Sequence, residues 1–125
     1  MTKKRPINLD FFTIRFPITA MVSILHRISG TFLFLLIPLL LWCFSHSLSS
    51  DTDFASLQQT LTEHVFLRLI LWLVIVGFFY HLFAGIRHIL MDLHLFEELK
   101  QGRTTAKLTL LFTIVIALFA GVWLW

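Results

Sequence analysis

The sequence predicts an all-α integral membrane protein whose three transmembrane helices run up, down and up. Three observations predict it. Of the 125 residues, 58% are hydrophobic and 14% charged, and the mean hydropathy is +0.86; a soluble domain is about 45–50% apolar and about 25% charged. Three stretches, 28–50, 69–86 and 108–125, contain no charged side chain, and each is long enough to cross a bilayer. Finally, the basic residues gather at the ends of these stretches, as the positive-inside rule requires. That pattern accounts for the net charge of +3 and the pI of about 9.5 without a nucleic-acid partner. The whole chain reads as one membrane domain, 1–125.

An N-terminal arm, 1–17, comes first. It is basic through Lys3, Lys4 and Arg5, and Pro6 and Pro17 limit any long helix. Asn8 to Asp10 reads as a turn or cap, and Phe11, Phe12, Ile14 and Phe16 make the arm amphipathic. Lys3 to Arg5 resemble the start of a signal peptide. Arg15 and Arg27 precede the long apolar run, however, and no small-residue cleavage site follows promptly, so the arm is expected to be retained. The first span is predicted at about 18–44, with Pro38 inside it. A polar connection, 45–67, follows, with a short surface helix over Ala55–Glu63 and His46 and His64 as solvated loop histidines. The second span is predicted at about 66–90. A second polar connection from Asp92 to Lys107 carries Glu97, Glu98, Lys100 and Arg103, and Gly102 allows a turn there. The third span, about 107–125, holds no ionisable group beyond Lys107 and reads as scaffold. Cys43 is alone and can form no internal disulfide; it reads as a small apolar filler.

Of the ten basic residues only Arg68, near the start of span two, lies on the other side. The other nine precede the charge-free part of span one or lie at or beyond the end of span two. That side is expected to be cytoplasmic, with the N-terminus inside and the C-terminus outside. Trp42, Trp72, Trp123 and Trp125 would then lie near the outer interface as an aromatic belt.

The chemistry concentrates in His81 to Asp92. An imidazole within an apolar span is costly unless its ring nitrogens find partners. On a helix His81, Gly85 and His88 share one face, and the glycine lets a flat group approach the backbone. Two readings fit His81: axial ligand to a haem iron, or hydrogen bonding to a carbonyl of a neighbouring helix. Span one opens with its own polar face of Ser23, His26, Arg27 and Gly30. The alternative there is a snorkelling arginine and a serine bonded back to its own helix. The topology brings both faces to the inner interface, with His81 about 9 Å deeper than Arg87, from six residues at 1.5 Å each. Two polar faces that converge at one depth are poorly explained as separate accidents.

Together these stretches resemble a known family. Arg5-Pro6-Ile7 with Ser23-Ile24-Leu25-His26-Arg27-Ile28-Ser29 is similar to the first motif of the succinate dehydrogenase cytochrome b subunit family. His81 to Asp92, with Gly85, Arg87 and His88, is similar to its second. Order, separation, length and three-span layout agree over nearly the whole chain. Two positions depart from the family pattern: Phe11 replaces an aliphatic residue, and His94 stands where a small residue, usually glycine, is expected.

The resemblance implies the roles. His81 matches the axial ligand of haem b, which the family shares with a second small membrane-anchor subunit that supplies the other histidine and completes the bundle. Ser23 and Arg27 match residues of the ubiquinone site, and His26 and His88 lie near the haem propionates. The Ser23 hydroxyl can donate to a quinone carbonyl. Arg27, which cannot deprotonate, suits the negative charge that reduction builds on the quinone oxygens. An iron–sulfur subunit and a flavoprotein that oxidises succinate are the implied soluble partners. This chain has no dinucleotide-binding glycine motif and no cysteine cluster, so the dicarboxylate chemistry belongs to those partners. The expectation is a membrane-anchor and electron-transfer subunit of succinate dehydrogenase in a bacterial inner membrane. The alternatives are a haem-free structural anchor and the anchor of a fumarate reductase that uses menaquinone. A proton or ion carrier would want acidic groups within the spans, which are absent.

Overall fold

The computed structural model describes residues 14–125. The expected Asn8–Asp10 turn and most of the amphipathic arm lie outside the described residues. Four helices follow: α1 (Ile18–Ser47), α2 (Asp51–Glu63), α3 (Val65–Asp92) and α4 (Leu99–Leu124). Of these, α1, α3 and α4 are long and apolar enough to cross a membrane.

Pro17 starts α1. Its backbone is extended (φ −64°, ψ 153°), and its carbonyl accepts the amides of Ala20 and Met21. Pro38 lies inside α1, which remains one helix to Ser47; neighbouring groups in a membrane bundle commonly tolerate such a residue. His46 therefore belongs to the last turn of α1, stacked on Trp42 at 5.4 Å, and is not a loop residue. The surface helix α2 begins four residues before the expected Ala55. Ser50 caps it, its hydroxyl accepting the Asp53 amide at 3.1 Å, and Asp51 and Asp53 sit in the first turn, where carboxylates favour the positive end of the helix. An extended His64 alone separates α2 from α3.

The connection after α3 is shorter than 92–107. α4 starts at Leu99, and Gly102, expected to allow a turn, is a buried helical residue. A Cβ there would lie 3.7 Å from the Phe96 carbonyl oxygen and 3.9 Å from Thr19 Cγ2. The chain turns instead at His94 (φ 61°) and Phe96 (φ 64°). Both adopt the left-handed conformation, which explains why a small residue suits position 94. Here the His94 ring bonds the Glu97 carboxylate at 2.8 Å.

The three long helices alternate in direction. From the N-terminal to the C-terminal end of α1, Val22, His26, Gly30 and Phe32 meet Tyr80, Gly85, His81 and Gly77 of α3. α3 and α4 are tied at both ends. Trp72 Nε1 donates to the Ala117 carbonyl at 2.8 Å, and Arg87 reaches Gly102. Trp72 thus braces two helices and is no free interfacial anchor. The core is small: Val22, Tyr80, Ala84 and Ala106, where all three long helices meet. α4 buries Gly102, Ala106, Thr109, Thr113 and Ala120, small residues that allow close approach of helices in lipid. Thr109 and Thr113 bond back to carbonyls four residues earlier. The large apolar side chains point outward, among them Phe34, Leu35, Phe119 and Val122. In water this would be untenable; in a bilayer it is the expected arrangement.

A histidine–glycine exchange between α1 and α3

α1 and α3 pack by exchanging a histidine for a glycine. The His81 ring of α3 lies over Gly30 of α1, where a Cβ would fall 2.9 Å from His81 Cε1. The His26 ring of α1 lies over Gly85 of α3, where a Cβ would fall 3.4 Å from His26 Nε2. The flat group against Gly85 is therefore an imidazole of the chain itself. The two rings stack, with centroids 4.2 Å apart and planes inclined by 16°. His88 joins at 5.0 Å from His26, tilted by 42°. His26 thus fills the space between His81 and His88, which are two turns apart on α3.

Hydrogen bonding sets the protonation pattern of His81. Its Nδ1 lies 3.1 Å from Ser29 Oγ and 3.2 Å from the His26 carbonyl oxygen. The Ser29 hydroxyl donates its single proton to that same carbonyl at 2.8 Å. A carbonyl can only accept, so its contact with Nδ1 is a hydrogen bond in the tautomer that carries the proton on Nδ1, and Ser29 Oγ can accept from the same N–H. In that tautomer the other nitrogen is unprotonated. Nε2 keeps its lone pair, in the ring plane and clear of the stacked face. This is the tautomer in which a histidine binds a metal through Nε2 with Nδ1–H oriented by a carbonyl. Nearby, the buried Tyr80 hydroxyl donates to the Val22 carbonyl at 2.7 Å. His26 Nε2 is buried and has no partner among the described residues. Such an orphan is costly and marks a place where a polar group of a ligand can be received.

Among the described residues no group of three or more His, Cys, Asp or Glu side chains is placed to hold a metal ion. A bare ion is therefore a poor fit. Haem is a better one, because a porphyrin supplies the equatorial nitrogens itself and asks for one imidazole on each face.

The structure brings His26, His81 and His88 together, as the sequence reading requires. Ser23 is half-buried and Arg27 exposed on the same stretch of α1; neither joins the ring stack or the hydrogen bonds of His81. Sequence reasoning assigned no role to Ser29, Tyr80 or Arg87. Ser29 stands inside the first motif, one turn after His26, and that spacing was its only signal. Arg87, near the end of α3, is 5% exposed. Its Nε donates to Thr105 Oγ1 at 3.2 Å and its Nη2 to the Gly102 carbonyl at 3.3 Å. It forms part of the wall of a cavity of about 170 Å³ between α3 and α4, with Phe83, Leu90, Leu108 and Phe112. The small-residue stripe on α4 was its only signal.

Comparison with known proteins agrees with this architecture. Residues 1–120 match the family described as succinate dehydrogenase/fumarate reductase transmembrane subunit. The chain is 39% identical to the succinate dehydrogenase cytochrome b556 subunit of Coxiella burnetii, over the full length of both. It is 31% identical to the cytochrome b556 subunit of Rickettsia bellii over 90% of each chain. With the cytochrome b560 subunit of Reclinomonas americana it shares 33% identity over 92% of this chain and 85% of that one.

Proposed function

Because this chain belongs to the succinate dehydrogenase/fumarate reductase transmembrane subunit family, we propose that it anchors a succinate dehydrogenase in the membrane, holds one face of a haem b and forms part of the ubiquinone site. The observation that carries this reading is the setting of His81. Its Nδ1 lies against Ser29 Oγ and the His26 carbonyl, and the tautomer that donates to that carbonyl leaves Nε2 free to bind iron. Haem, when bound, supplies one-electron storage beside the quinone.

The chain's own residues do the rest. His81 would hold the iron, and a second small membrane-anchor subunit would supply the other histidine. His26, with its unpartnered Nε2, and His88 would receive the propionates. Ser23 would donate a hydrogen bond to a quinone carbonyl, and Arg27 would hold a fixed positive charge beside the oxygens that become negative. The side carrying nine of the ten basic residues would be cytoplasmic, in a bacterial inner membrane, with the C-terminus periplasmic. There the iron–sulfur and flavoprotein subunits would dock. The His26 carbonyl also satisfies His81 without any cofactor, which favours a haem-free anchor as the second reading.

A dithionite-reduced minus oxidised spectrum of the complex, purified from its native membranes, separates the two. Sharp b-type bands are expected, and His81→Leu is expected to lose them. Bands unchanged in that variant overturn the ligand assignment; a complex without bands that still reduces quinone is the haem-free anchor. For the quinone site, Arg27→Leu is expected to lower quinone reduction by about 10²-fold, the scale of a lost charge-stabilising donor. Electron transfer to a soluble dye should be preserved. Equal loss in both assays would assign Arg27 to assembly.

A further inference from the structure

We propose that Ser29 is a positioning residue that tunes the electron-donating strength of His81, and through it the reduction potential of the bound haem. The proposal rests on the reading of His81 as the iron ligand. Ser29 is buried on α1, 8% exposed, and faces the one imidazole nitrogen that the iron does not use. Its hydroxyl acts in two directions. The oxygen accepts from His81 Nδ1–H at 3.1 Å, while its proton goes to the His26 carbonyl at 2.8 Å. That carbonyl is the other acceptor of Nδ1–H, at 3.2 Å. Ser29, the His26 carbonyl and Nδ1 therefore close a three-membered hydrogen-bonded set across the α1–α3 interface.

An acceptor at Nδ1–H draws the proton outward and gives the ring more imidazolate character. Nε2 then donates more charge to the metal. Greater donation favours the ferric state over the ferrous one, so the hydroxyl holds the potential down. In a low-dielectric setting the effect of one added acceptor is larger than in water. The His81 ring is also pressed between Gly30 and His26, so it cannot rotate away to find another acceptor.

The test is a redox titration of the haem in the intact complex, followed by its absorption bands, for wild type, Ser29→Ala and Ser29→Thr. Ser29→Ala should retain b-type bands with a raised midpoint potential. The expected size is roughly a tenfold change in the reduced-to-oxidised ratio at fixed potential, or about 59 mV for one electron. Ser29→Thr keeps the hydroxyl and should return the potential towards wild type. If the alanine variant loses its haem while the threonine variant keeps it, the hydroxyl holds the haem rather than tuning it, and the proposal is overturned. An unchanged potential in Ser29→Ala overturns the proposal, as does an equal shift in both variants. Neither outcome touches the assignment of His81, which stands or falls on the bands lost in His81→Leu.

Discussion

At the scale of single residues, the two glycines of the α1–α3 interface are unequal. A Cβ at Gly30 would fall 2.9 Å from His81 Cε1, closer than side chains tolerate, and the ring it meets is held by two hydrogen bonds. A Cβ at Gly85 would fall 3.4 Å from His26 Nε2, an atom with no partner to lose among the described residues. Gly30→Ala is therefore expected to cost about 1–3 kcal/mol, the usual scale of overpacking, and to lower the haem-to-protein ratio. Gly85→Ala should have a smaller effect on both. Thermal melting and haem quantification of the purified complex check the ranking; equal losses would mean that the tight contact at Gly30 is relaxed by a small shift of the helices. The sequence announced the polar residues of this site, because a histidine in an apolar span is conspicuous. It could not announce Ser29 or the second role of Gly30. Periodicity places residues on the face of one helix, and the pairing of Ser29 with His81 depends on the register between two.

At the scale of elements, the spans were legible because charge-free stretches have a membrane's length. Their ends were less so, for a physical reason in each case. α2 begins at Asp51 because a serine cap and two carboxylates stabilise a first turn that hydropathy does not see. α4 begins at Leu99 because a helix need not stop where its side chains become charged. Lys100, Arg103 and Lys107 ride on a helical extension of the span whose other side, at Gly102 and Ala106, is buried. What ends the α3–α4 connection is the left-handed pair at His94 and Phe96. His94 carries a side chain where glycine would be unstrained, and its exposed bond to Glu97 contributes little. His94→Gly is expected to leave stability within about 1 kcal/mol of wild type, since relief of strain and loss of chain stiffness oppose each other. His94→Val should cost about 1–2 kcal/mol, because a β-branched residue is poorly accommodated at positive φ. Midpoints of thermal inactivation of quinone reductase activity compare the two; a valine variant as stable as the glycine variant would show that the turn adopts another conformation.

At the scale of the whole molecule, α3 is the common wall. Its Gly77, His81, Gly85 and His88 side carries the imidazole cluster against α1. Its Trp72, Phe83 and Arg87 side is braced against α4 by two side-chain-to-carbonyl bonds and by Phe83 against Phe112 at 5.8 Å. The imidazole cluster and the scaffold thus share one helix back to back. The exchange of histidine for glycine also behaves like the teeth of a key. A slip of one residue displaces a helix by about 1.5 Å, and a slip of one turn by about 5.4 Å; neither returns both rings to both gaps. Two apolar helices in lipid have few means of choosing how far to slide past each other, since every register buries much the same surface. Here the same imidazoles that make the cluster serve as its ruler, so the level of the cluster along the bundle is set as the helices meet.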